Sequence, residues 1–503
     1  TPLPPRGSWC GPPADCLGPS AKLASISALF GARNNLADPC LGLSESLTPA
    51  QHFVQGSQVS HPLLCLPTPP AYVAPLAPLF AWSVANEDLW QFAFQRLASA
   101  LVAWLATPLA AKLRADWQRA SPVASARVNP DLHGPGLIAL FLATGVPVTA
   151  AVCENLSDGF PFSGPLSAHG LWPYLPSAAP PLLTLGQLRA EAASHLPRFI
   201  KQCQGGSSHA ALWAATSKEL ASGTLQGPFG VTPDSPFPPL PPPPDGLPPA
   251  FIPRFAIPHN SKPPPAVRPI DNAKTSRLNS TACPLDKVWL PWLDVILATL
   301  QWLLGCKARP ALGKFDHIDA YKKWPSRPRD QWGAHLLTVD DQGRPAAFIN
   351  SALNFGALGS VWGYCWFSTA WAISLSWALG IIVLAYVDDF ATITPASTSL
   401  APIVALHQAF GLAVHETPGK IHHPERGAPC PLLGVRITVD TTRVVSANEP
   451  DRVAKLVTVC DTLAATATVP LAAFRTLIGK LCFAAAQTWG RSARAGLRAL
   501  FRH

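Results

Sequence analysis

The chain has 503 residues, a formal net charge of +9 and no methionine. At roughly 150 residues per domain, this length allows about three domains and an ample buried core. Charged residues make up only 13% of the chain, which is low for a globular protein, so the positive charge by itself does not establish a polyanionic partner.

The cysteines and the first residue limit what can be said of the cellular compartment. Twelve cysteines are scattered without a C-x-x-C pair or a Cys/His cluster at zinc-ligand spacing. This pattern favours free buried thiols and an intracellular location, nuclear or cytoplasmic. Cys10 and Cys16 remain an alternative, as metal or disulfide partners. Because the chain begins at Thr1, we expect that it lacks its natural start and that any targeting signal is unreadable.

The first predicted elements follow a region of low complexity. Residues 1–80 are rich in Pro, Ser, Ala and Gly, which predicts poor order. Residues 86–119 predict a helix that Asn86 caps and Pro108 breaks. We expect its apolar stripe to be core rather than a ligand site; the stripe comprises Leu89, Trp90, Phe92, Phe94, Leu97, Leu101, Trp104 and Leu105.

A proline-rich stretch follows a second predicted helix at His209–Ser222. It spans residues 227–269 and contains PFPPLPPPP at 236–244. Each proline ring fixes φ and removes a hydrogen-bond donor, so the stretch favours extended polyproline conformation. We interpret it as a stiff linker, with a ligand for a small proline-binding domain as the alternative.

Beyond the proline-rich stretch, helices and strands alternate in mixed order. VRPIDNAKTSRLN (267–279) indicates a strand followed by a loop, and Asp340–Gly343 indicates a turn because glycine follows the aspartates at once. Further elements are predicted at Val288–Leu304, Asp451–Ala464 and Leu471–Ala485 as helices, and at Ala311–Ile318, His335–Asp340 and Ile381–Val387 as strands. This order favours an α+β class, or α/β with a helical carboxyl end.

One apolar segment, Phe367–Leu384, is about long enough to cross a bilayer. Gly380 divides it into a helical half that contains Ser and Thr and a β-branched half that ends in two aspartates. We therefore interpret it as a helix followed by a buried strand, and we expect no membrane partner.

The sharpest chemical signal is YVDDF at 386–390. Asp388 and Asp389 follow a wholly apolar strand, so they are expected at the tip of a hairpin. Two neighbouring anions repel each other unless a cation or water screens them, which indicates a metal site. KFDHIDAYKKW supplies a third carboxylate, Asp316, at the end of an earlier strand. Such a set could hold two divalent ions roughly 3.5 to 4 Å apart for phosphoryl transfer.

With these motifs, residues from about 190 to 500 resemble the reverse transcriptases. The resemblance implies that Asp316, Asp388 and Asp389 bind two Mg²⁺ or Mn²⁺ ions, with the backbone carbonyl of His317. It also implies that Tyr321 excludes a ribose 2′ hydroxyl. Asp319 and Ala320 match the DA pair that packs under the incoming sugar and phosphates.

INSALNFGALGSVWGYCW is similar to the second motif of this family. The matching positions are Phe355, Gly356 and Ser360, where the glycine lets the backbone approach the templating base and nucleotide. Asn354 stands where proline is typical of the family. YVDDF is similar to the third motif at both aspartates.

Other nucleotide contacts come from the fourth motif and from a segment before the aspartates. FGLAVHETPGKIHH resembles the fourth motif, which places Lys420 near the triphosphate. VRPIDNAKTSRLN resembles the segment whose cation contacts the triphosphate, which indicates Arg268, with Lys262 or Lys274 as alternatives.

Primer and template contacts are implied further along the chain. PLLGVRIT resembles the fifth motif, the primer grip, with Leu433 and Gly434 at its centre. The segment FRTLIGKLCFAAAQTWGRSARAGLRALF is similar to the thumb of tyrosine-recombinase retrotransposons, and its phosphate-binding candidates are Arg475, Lys480, Arg491, Arg494, Arg498 and Arg502.

The resemblance implies a right-hand polymerase with an antiparallel palm sheet. Residues 186–440 would form fingers and palm, 441–503 a truncated helical thumb, and 1–185 a partly disordered region of unknown role. The implied partners are dNTPs and a primed RNA or DNA template. Three other interpretations remain open: an inactive or domesticated relic that binds nucleic acid, an RNA polymerase, which Tyr321 disfavours, and a membrane protein.

Overall fold

The computed structural model describes residues 70–121, 128–175, 178–206, 208–258, 266–466 and 468–486. Most of the region expected to be poorly ordered, residues 1–69, therefore lies outside the described residues. So do several residues singled out from the sequence, namely Cys10, Cys16, Lys262, Arg491, Arg494, Arg498 and Arg502.

The described residues form helices and strands in mixed order, as an α+β class requires. The helices are α1 Ala77–Ser83, α2 Glu87–Leu105, α3 Pro108–Ala120, α4 Gly134–Ala143, α5 Ala150–Asp158, α6 Leu185–Ala190, α7 Ala192–Gln204, α8 His209–Ala221, α9 Leu293–Gly305, α10 Pro328–Gln331, α11 Leu358–Leu379, α12 Ala401–Ala409, α13 Pro450–Ala464 and α14 Leu471–Ala486. The strands are β1 Gly164–Leu166, β2 Leu225–Phe229, β3 Phe251–Pro258, β4 Val267–Asp271, β5 Ala282–Pro284, β6 Ala311–Asp316, β7 His335–Val339, β8 Pro345–Asn350, β9 Ile382–Tyr386, β10 Asp389–Thr394, β11 His422–Glu425, β12 Cys430–Leu432, β13 Val435–Val439 and β14 Val444–Asn448.

Most predicted elements are confirmed to within one or two residues. The exception is α9, which begins five residues later than the predicted Val288. Pro291 explains the difference, because a proline disfavours helical backbone at the residue before it. The Asp340–Gly343 turn is confirmed, and Asp340 Oδ1 accepts from the backbone N of Gln342 at 3.0 Å and of Arg344 at 2.8 Å.

The central sheet has the strand order β11-β6-β10-β9 and is antiparallel throughout. Alternate residues of β9 enter two different cores: Val383 packs with α11, whereas Ile382 and Leu384 pack with α9. Burial on both faces explains why this strand is apolar without alternation. The expected antiparallel sheet at the carboxylates is confirmed.

A five-stranded sheet, β2-β8-β7-β3-β4, contains one parallel pair, β3 with β7. It includes part of the proline-rich stretch, since β3 lies within residues 227–269 and pairs with β4. Phe237 stacks on Trp213 of α8 with ring centroids 6.0 Å apart. The stiff-linker interpretation is therefore wrong for residues 251–258, which pair in the sheet, and for Phe237, which packs on α8.

A three-stranded sheet, β12-β13-β14, precedes the last two described helices. Its first hairpin turns at Leu433 and Gly434, whose φ angles are 50° and 78°. Two positive φ values in a two-residue turn match the right-handed twist of the paired strands.

Residues 70–175 pack against the central sheet and its helices. Tyr72 donates to the carbonyl of Val383 at 3.1 Å, and Glu87 pairs with Arg426 at 2.7 Å. Residues 70–80, which the composition placed in a poorly ordered region, instead contain a 3-10 turn and the start of α1. The apolar residues Leu76 and Phe80 explain this, since both are buried.

The predicted helix at 86–119 is confirmed as α2 and α3, with the break at Pro108, where Thr107 accepts from the backbone N of Ala110. Asn86 occupies the N-cap position but makes no side-chain cap bond, because its amide donates to the carbonyl of Trp82.

The prediction that the whole apolar stripe is core is wrong for part of it. Trp90, Phe94 and Leu105 are buried, whereas several other members are exposed, namely Leu89, Phe92, Leu97 and Trp104. Residues spread around the helix in this way cannot all face one core.

The candidate membrane segment is a helix end followed by a strand, as expected. The helix α11 ends at Leu379, Gly380 takes a φ of 63°, and β9 begins at Ile382. Among the described residues no single helix is long and apolar enough to span a membrane; by length and composition only, the bent pair α2 and α3 passes the same test.

Candidate functional site

The YVDDF motif forms a hairpin between β9 and β10. Tyr386 pairs with Asp389, which leaves Val387 and Asp388 as the turn. Val387 has a φ of 56°, an unusual value for a β-branched residue that costs about 1–3 kcal/mol. The buried strands on both sides hold this turn in place, and the expected hairpin tip is confirmed.

Asp316 on β6 lies directly opposite Asp389 on the neighbouring strand β10 of the central sheet. The two Cα atoms are register partners in the β6–β10 pair, and the backbone N of His317 donates to the carbonyl of Asp388 at 3.3 Å. Strand pairing thus brings together three carboxylates, although 72 residues separate Asp316 from Asp388 along the chain.

The environment of Asp388 and Asp389 favours their protonation when no cation screens them. Asp388 lies open at the tip, yet lost hydration on its protein side, followed by the charge of Asp316, raises its pKa. Burial, then the adjacent Asp316 carboxyl and Asp388, raises the pKa of Asp389 to about 7. Divalent cations would relieve this repulsion.

The site also contains an oxygen without a protein partner. Asp316 is 4% exposed, and within the described residues its Oδ1 is buried and has no hydrogen-bond partner. No group of three or more His, Cys, Asp or Glu side chains in the described part of the chain forms a metal cage by itself. Mg²⁺ is commonly held by one or two carboxylates plus phosphates and water, so the residues present fit such an ion.

Lys420 reaches the same carboxylates from an exposed turn before β11. Its Nζ donates to Asp316 Oδ2 at 2.5 Å. This hydrogen bond, with the charges of Asp316, Asp389 and Asp388, raises the pKa of Lys420 although partial burial opposes it. Lys420, which the sequence predicts to contact the nucleotide, is therefore a cation at the edge of the carboxylate site.

Tyr321 belongs to a cluster of three tilted aromatic rings. Asp319, with a φ of 51°, begins the 3-10 helix Ala320–Lys323 that contains Tyr321. The Tyr321 ring lies 4.9 Å from that of Phe355 and 5.0 Å from that of Tyr364. Burial raises the pKa of Tyr321, so its hydroxyl stays protonated.

The loop after β8 is held on one side by the segment around Asp271. Gly356 has a φ of 87°, and a Cβ there would lie 2.7 Å from the carbonyl oxygen of Asp271. Asn279 donates to the carbonyl of Gly356 at 3.0 Å and accepts from the backbone N of Leu358 at 2.8 Å. Glycine is required here for both the backbone angle and the close approach.

Asn354 in this loop and Ser360 in the first turn of α11 are buried with incomplete hydrogen bonding. Asn354, at the position where the resemblance leads us to expect proline, places its amide N 3.5 Å from the carbonyl of Ala334, and its Oδ1 has no partner in the described residues. Ser360 is buried as well, and its Oγ has no partner in the same described part.

His317 is buried beneath the hairpin. Its Nδ1 lies 2.9 Å from the hydroxyl of Tyr364, and burial with the nearby His407 holds its pKa well below the usual value. The imidazole is therefore neutral and belongs to the aromatic core, so its predicted metal contact involves the backbone carbonyl alone.

The remaining predicted contacts lie on outer elements. Arg268 is exposed on β4, the edge strand of the five-stranded sheet, and Lys274 is exposed in the following turn. Arg475 and Lys480 are exposed on α14. These residues lie on different elements from the three carboxylates. Their roles stay predictions, as does the role of the Leu433–Gly434 hairpin.

Sequence reasoning missed a buried ion-pair cluster formed by Glu219, Arg254, Asp271 and Lys322. Arg254 is 1% exposed and donates to both oxygens of Asp271, at 2.7 and 3.2 Å. A signal was present, since Arg254 stands alone in the apolar strand FIPRFAIP, and a charge buried there requires a partner.

Comparison with known proteins gives one kind of match. No family model matches the sequence, and no curated protein matches it. The chain is similar to the foamy viral protease–reverse transcriptase dRH in complex with double-stranded DNA, at 16% identity and a TM-score of 0.35, over 55% of this chain and 41% of that chain.

Two further foamy viral structures match in the same way. The protease–reverse transcriptase with double-stranded DNA is 17% identical, with a TM-score of 0.36, over 56% of this chain and 48% of that chain. The same protein with an RNA/DNA hybrid is 15% identical, with a TM-score of 0.35, over 56% and 33%. Each match thus spans less than half of the foamy viral chain.

Proposed function

We propose that this chain is a reverse transcriptase of a retroelement, an RNA-directed DNA polymerase. One observation carries the proposal: strand pairing places Asp316 opposite Asp389 and beside Asp388, at the end of an antiparallel sheet. Three carboxylates so arranged suit nucleotidyl transfer, in which positioning and electrostatic stabilisation provide most of the acceleration.

The metal ions of such a site would be two Mg²⁺ or Mn²⁺ ions. Asp316, Asp388, Asp389 and the carbonyl of His317 would hold them. When bound, the ions activate the primer 3′ hydroxyl and neutralise the charge of the leaving pyrophosphate. Lys420 stays protonated next to Asp316, so it adds a positive charge where the triphosphate would lie.

The nucleotide preference follows from Tyr321. Its ring is buried and packs against Phe355 and Tyr364, which favours a fixed position that excludes a ribose 2′ hydroxyl. We therefore infer dNTPs rather than rNTPs as substrates. Asp319 and Ala320 would pack under the sugar, and Arg268 or Lys274 would contact the triphosphate from β4 and the turn after it.

The nucleic-acid partner would be a primed RNA or DNA template. Exposed cations on α14, Arg475 and Lys480, suit phosphate contacts that position a duplex without reading its sequence. The Leu433–Gly434 turn would contact the primer, in a right-hand arrangement with fingers and palm at 186–440 and a helical thumb from 441.

Primer extension tests this proposal. The purified chain, a DNA primer on an RNA template, Mg²⁺ and dNTPs should give extension that Asp388→Asn reduces by about a thousandfold or more. Asp341→Asn, in the exposed turn after β7, is the matched control and should extend like the wild type. No extension by the wild type, with the primer–template still bound, would instead support the inactive relic.

A second proposal concerns the proline ridge, residues 236–244. Phe237, Leu240 and Pro243 are half-buried, and the residues between them are exposed. This period of three is that of a polyproline helix, whose two outer rows fit an aromatic-lined groove. We propose a proline-binding domain as the partner of this ridge.

Binding to a panel of purified SH3 and WW domains, followed by fluorescence anisotropy, tests the ridge. Replacing exposed Pro238 and Pro241 with Ala should abolish binding, whereas Ala at half-buried Pro243 should leave most of it. If no domain of the panel binds the wild-type chain, the ridge is only a structural part of the sheet.

A further inference from the structure

Lys322 is a buried cation next to the residue proposed to select the sugar. It lies in the 3-10 helix directly after Tyr321 and is 7% exposed. Burying an ammonium group costs several kcal/mol unless it is well paired. The next residue, Lys323, is only half-buried, so of these two lysines only Lys322 is buried.

The partner of Lys322 comes from another layer of the fold. Its Nζ lies 3.1 Å from Glu219 Oε2, at the end of α8. The same oxygen accepts from Arg254 at 3.0 Å, and Arg254 also binds Asp271. Two cations and two carboxylates therefore share one buried site, and their charges balance.

The electrostatics of the cluster keep Glu219 and Arg254 charged. Burial favours the neutral form of Glu219, but the charges of Arg254 and Lys322 and the hydrogen bond from Arg254 outweigh that effect and lower its pKa. Burial likewise opposes the charge of Arg254, and Asp271 and Glu219 outweigh that effect. Loss of one member would leave its partners as incompletely compensated buried charges.

The ion-pair cluster approaches these aromatic rings in two ways. Lys322 follows Tyr321 in one short helical turn, and its Nζ lies 6.0 Å from the centre of the Phe355 ring, at the outer limit of a cation–π contact. The backbone carbonyl of Asp271 leaves no room for a Cβ at Gly356, the residue after Phe355. Lys322 thus lies beside Tyr321 in the chain and near the Phe355 ring, and the backbone of Asp271 lies against the residue after Phe355.

We propose that Lys322, held by Glu219, is a positioning residue that fixes Tyr321 and Phe355 against the incoming sugar and thereby sets the preference for deoxyribonucleotides. This inference rests on the proposed polymerase function. Lys322 touches no reacting atom, so its removal should affect substrate choice more than the rate with the preferred substrate.

The first test measures the ratio of dNTP to rNTP incorporation, each as kcat/KM. Lys322→Met removes the charge and keeps most of the side-chain volume, and we expect the ratio to fall about tenfold, since small displacements of positioning groups have effects of this size or larger. Lys322→Arg should restore most of the ratio, because arginine can still pair with Glu219. Lys323→Met is the matched control and should leave the ratio unchanged.

The second test does not require catalysis. The sequence contains five tyrosines, so 3-fluorotyrosine labelling gives few fluorine NMR signals, and Tyr321→Phe identifies that of Tyr321. Lys322→Met should shift or broaden this signal, and Lys323→Met should not. Glu219→Gln should act like Lys322→Met and serves as the second variant if Lys322→Met does not fold.

The two tests separate the failure of each proposal. A wild-type chain that extends no primer would overturn the proposed polymerase and with it the selectivity claim, while the fluorine signal would still decide whether Lys322 positions Tyr321. If the wild type is active and folded Lys322→Met has an unchanged ratio of dNTP to rNTP incorporation, the inference about Lys322 is overturned and the proposed polymerase function is not.

Discussion

Three buried histidines illustrate how the fold decides the chemistry of single residues. Burial lowers the pKa of His169, His335 and His407 to about 4 in each case. Each makes a hydrogen bond in the core, for example His335 Nδ1 to the carbonyl of Gln331 at 2.8 Å. These residues are therefore neutral core side chains, although His is a frequent catalytic residue.

His335 gives a pH prediction at this scale. Its folded pKa, about 4, is below the usual 6.5, so the unfolded chain takes up the proton first. Its contribution to stability is complete above pH 6.5 and is lost as the pH falls through about 4.

His335→Asn isolates this contribution, because an amide N can donate to Gln331 in place of Nδ1 and does not titrate. The variant should be less stable than the wild type at pH 8, and the gap should narrow below pH 6.5 by at most about 1.36 kcal/mol per pH unit. Urea unfolding at several pH values measures it; a gap of constant size would contradict the assignment.

At the scale of elements, turns place the functional side chains. Val387 and Leu433 both take positive φ values, which bulky residues rarely adopt. The flanking strands of each hairpin are paired and buried, so their pairing overrides the local preference of the turn residue. The backbone strain is thus located at two hairpin turns. The Val387 turn would face the metal ions, and the Leu433 turn would face the primer.

Gly356 gives a prediction for the loop after β8. Gly356→Ala combines an unfavourable φ of 87° with a Cβ 2.7 Å from the Asp271 carbonyl. We expect a loss of about 1–3 kcal/mol in the free energy of unfolding and slower dNTP extension, because Phe355 must move.

Gly343→Ala is the matched control for this change. It has a similar φ of 80°, but a Cβ there would meet no atom within 4 Å. It should therefore cost only about 1 kcal/mol, from the backbone angle, and leave extension unchanged. Equal losses for the two variants in urea unfolding would show that the Asp271 contact contributes nothing.

At the scale of the whole molecule, residues 70–175 complete the core around α11. Phe141 packs edge-on against Trp366 with ring centroids 5.9 Å apart, and His169 lies between Trp366 and Trp362. Phe160 donates its backbone N–H to the carbonyl of Pro325 at 2.8 Å. Helix α11 is buried on nearly all sides, which explains why its apolar residues are not confined to one face.

A truncation tests this dependence. A chain of residues 186–503 would expose one side of α11 to water, so we expect it to aggregate or to lack a cooperative thermal transition. A chain of residues 70–503 should unfold cooperatively. Size-exclusion chromatography and circular dichroism compare the two; a folded 186–503 chain with an unchanged Tm would show that residues 70–175 are dispensable for folding.

Local patterns in the sequence were sufficient for most elements and for the catalytic candidates. The apolar run before Asp388, the glycine after Asp340 and the break at Pro108 each act within a few residues, so they predict hairpin, turn and helix end without knowledge of the fold. Asp316 was predicted from its own motif, and strand pairing places it opposite Asp389; its catalytic role stays a prediction.

Only the tertiary structure decided which side chains are buried together. The proline-rich stretch was expected to be a linker, but long-range pairing of β3 with β7 and β4 makes it part of a sheet. The exposed side of α2 and the pairing of Lys322 with Glu219 likewise depend on residues distant in the chain. Periodicity specifies that a face is apolar, whereas burial and ion pairing depend on what the rest of the chain places against it.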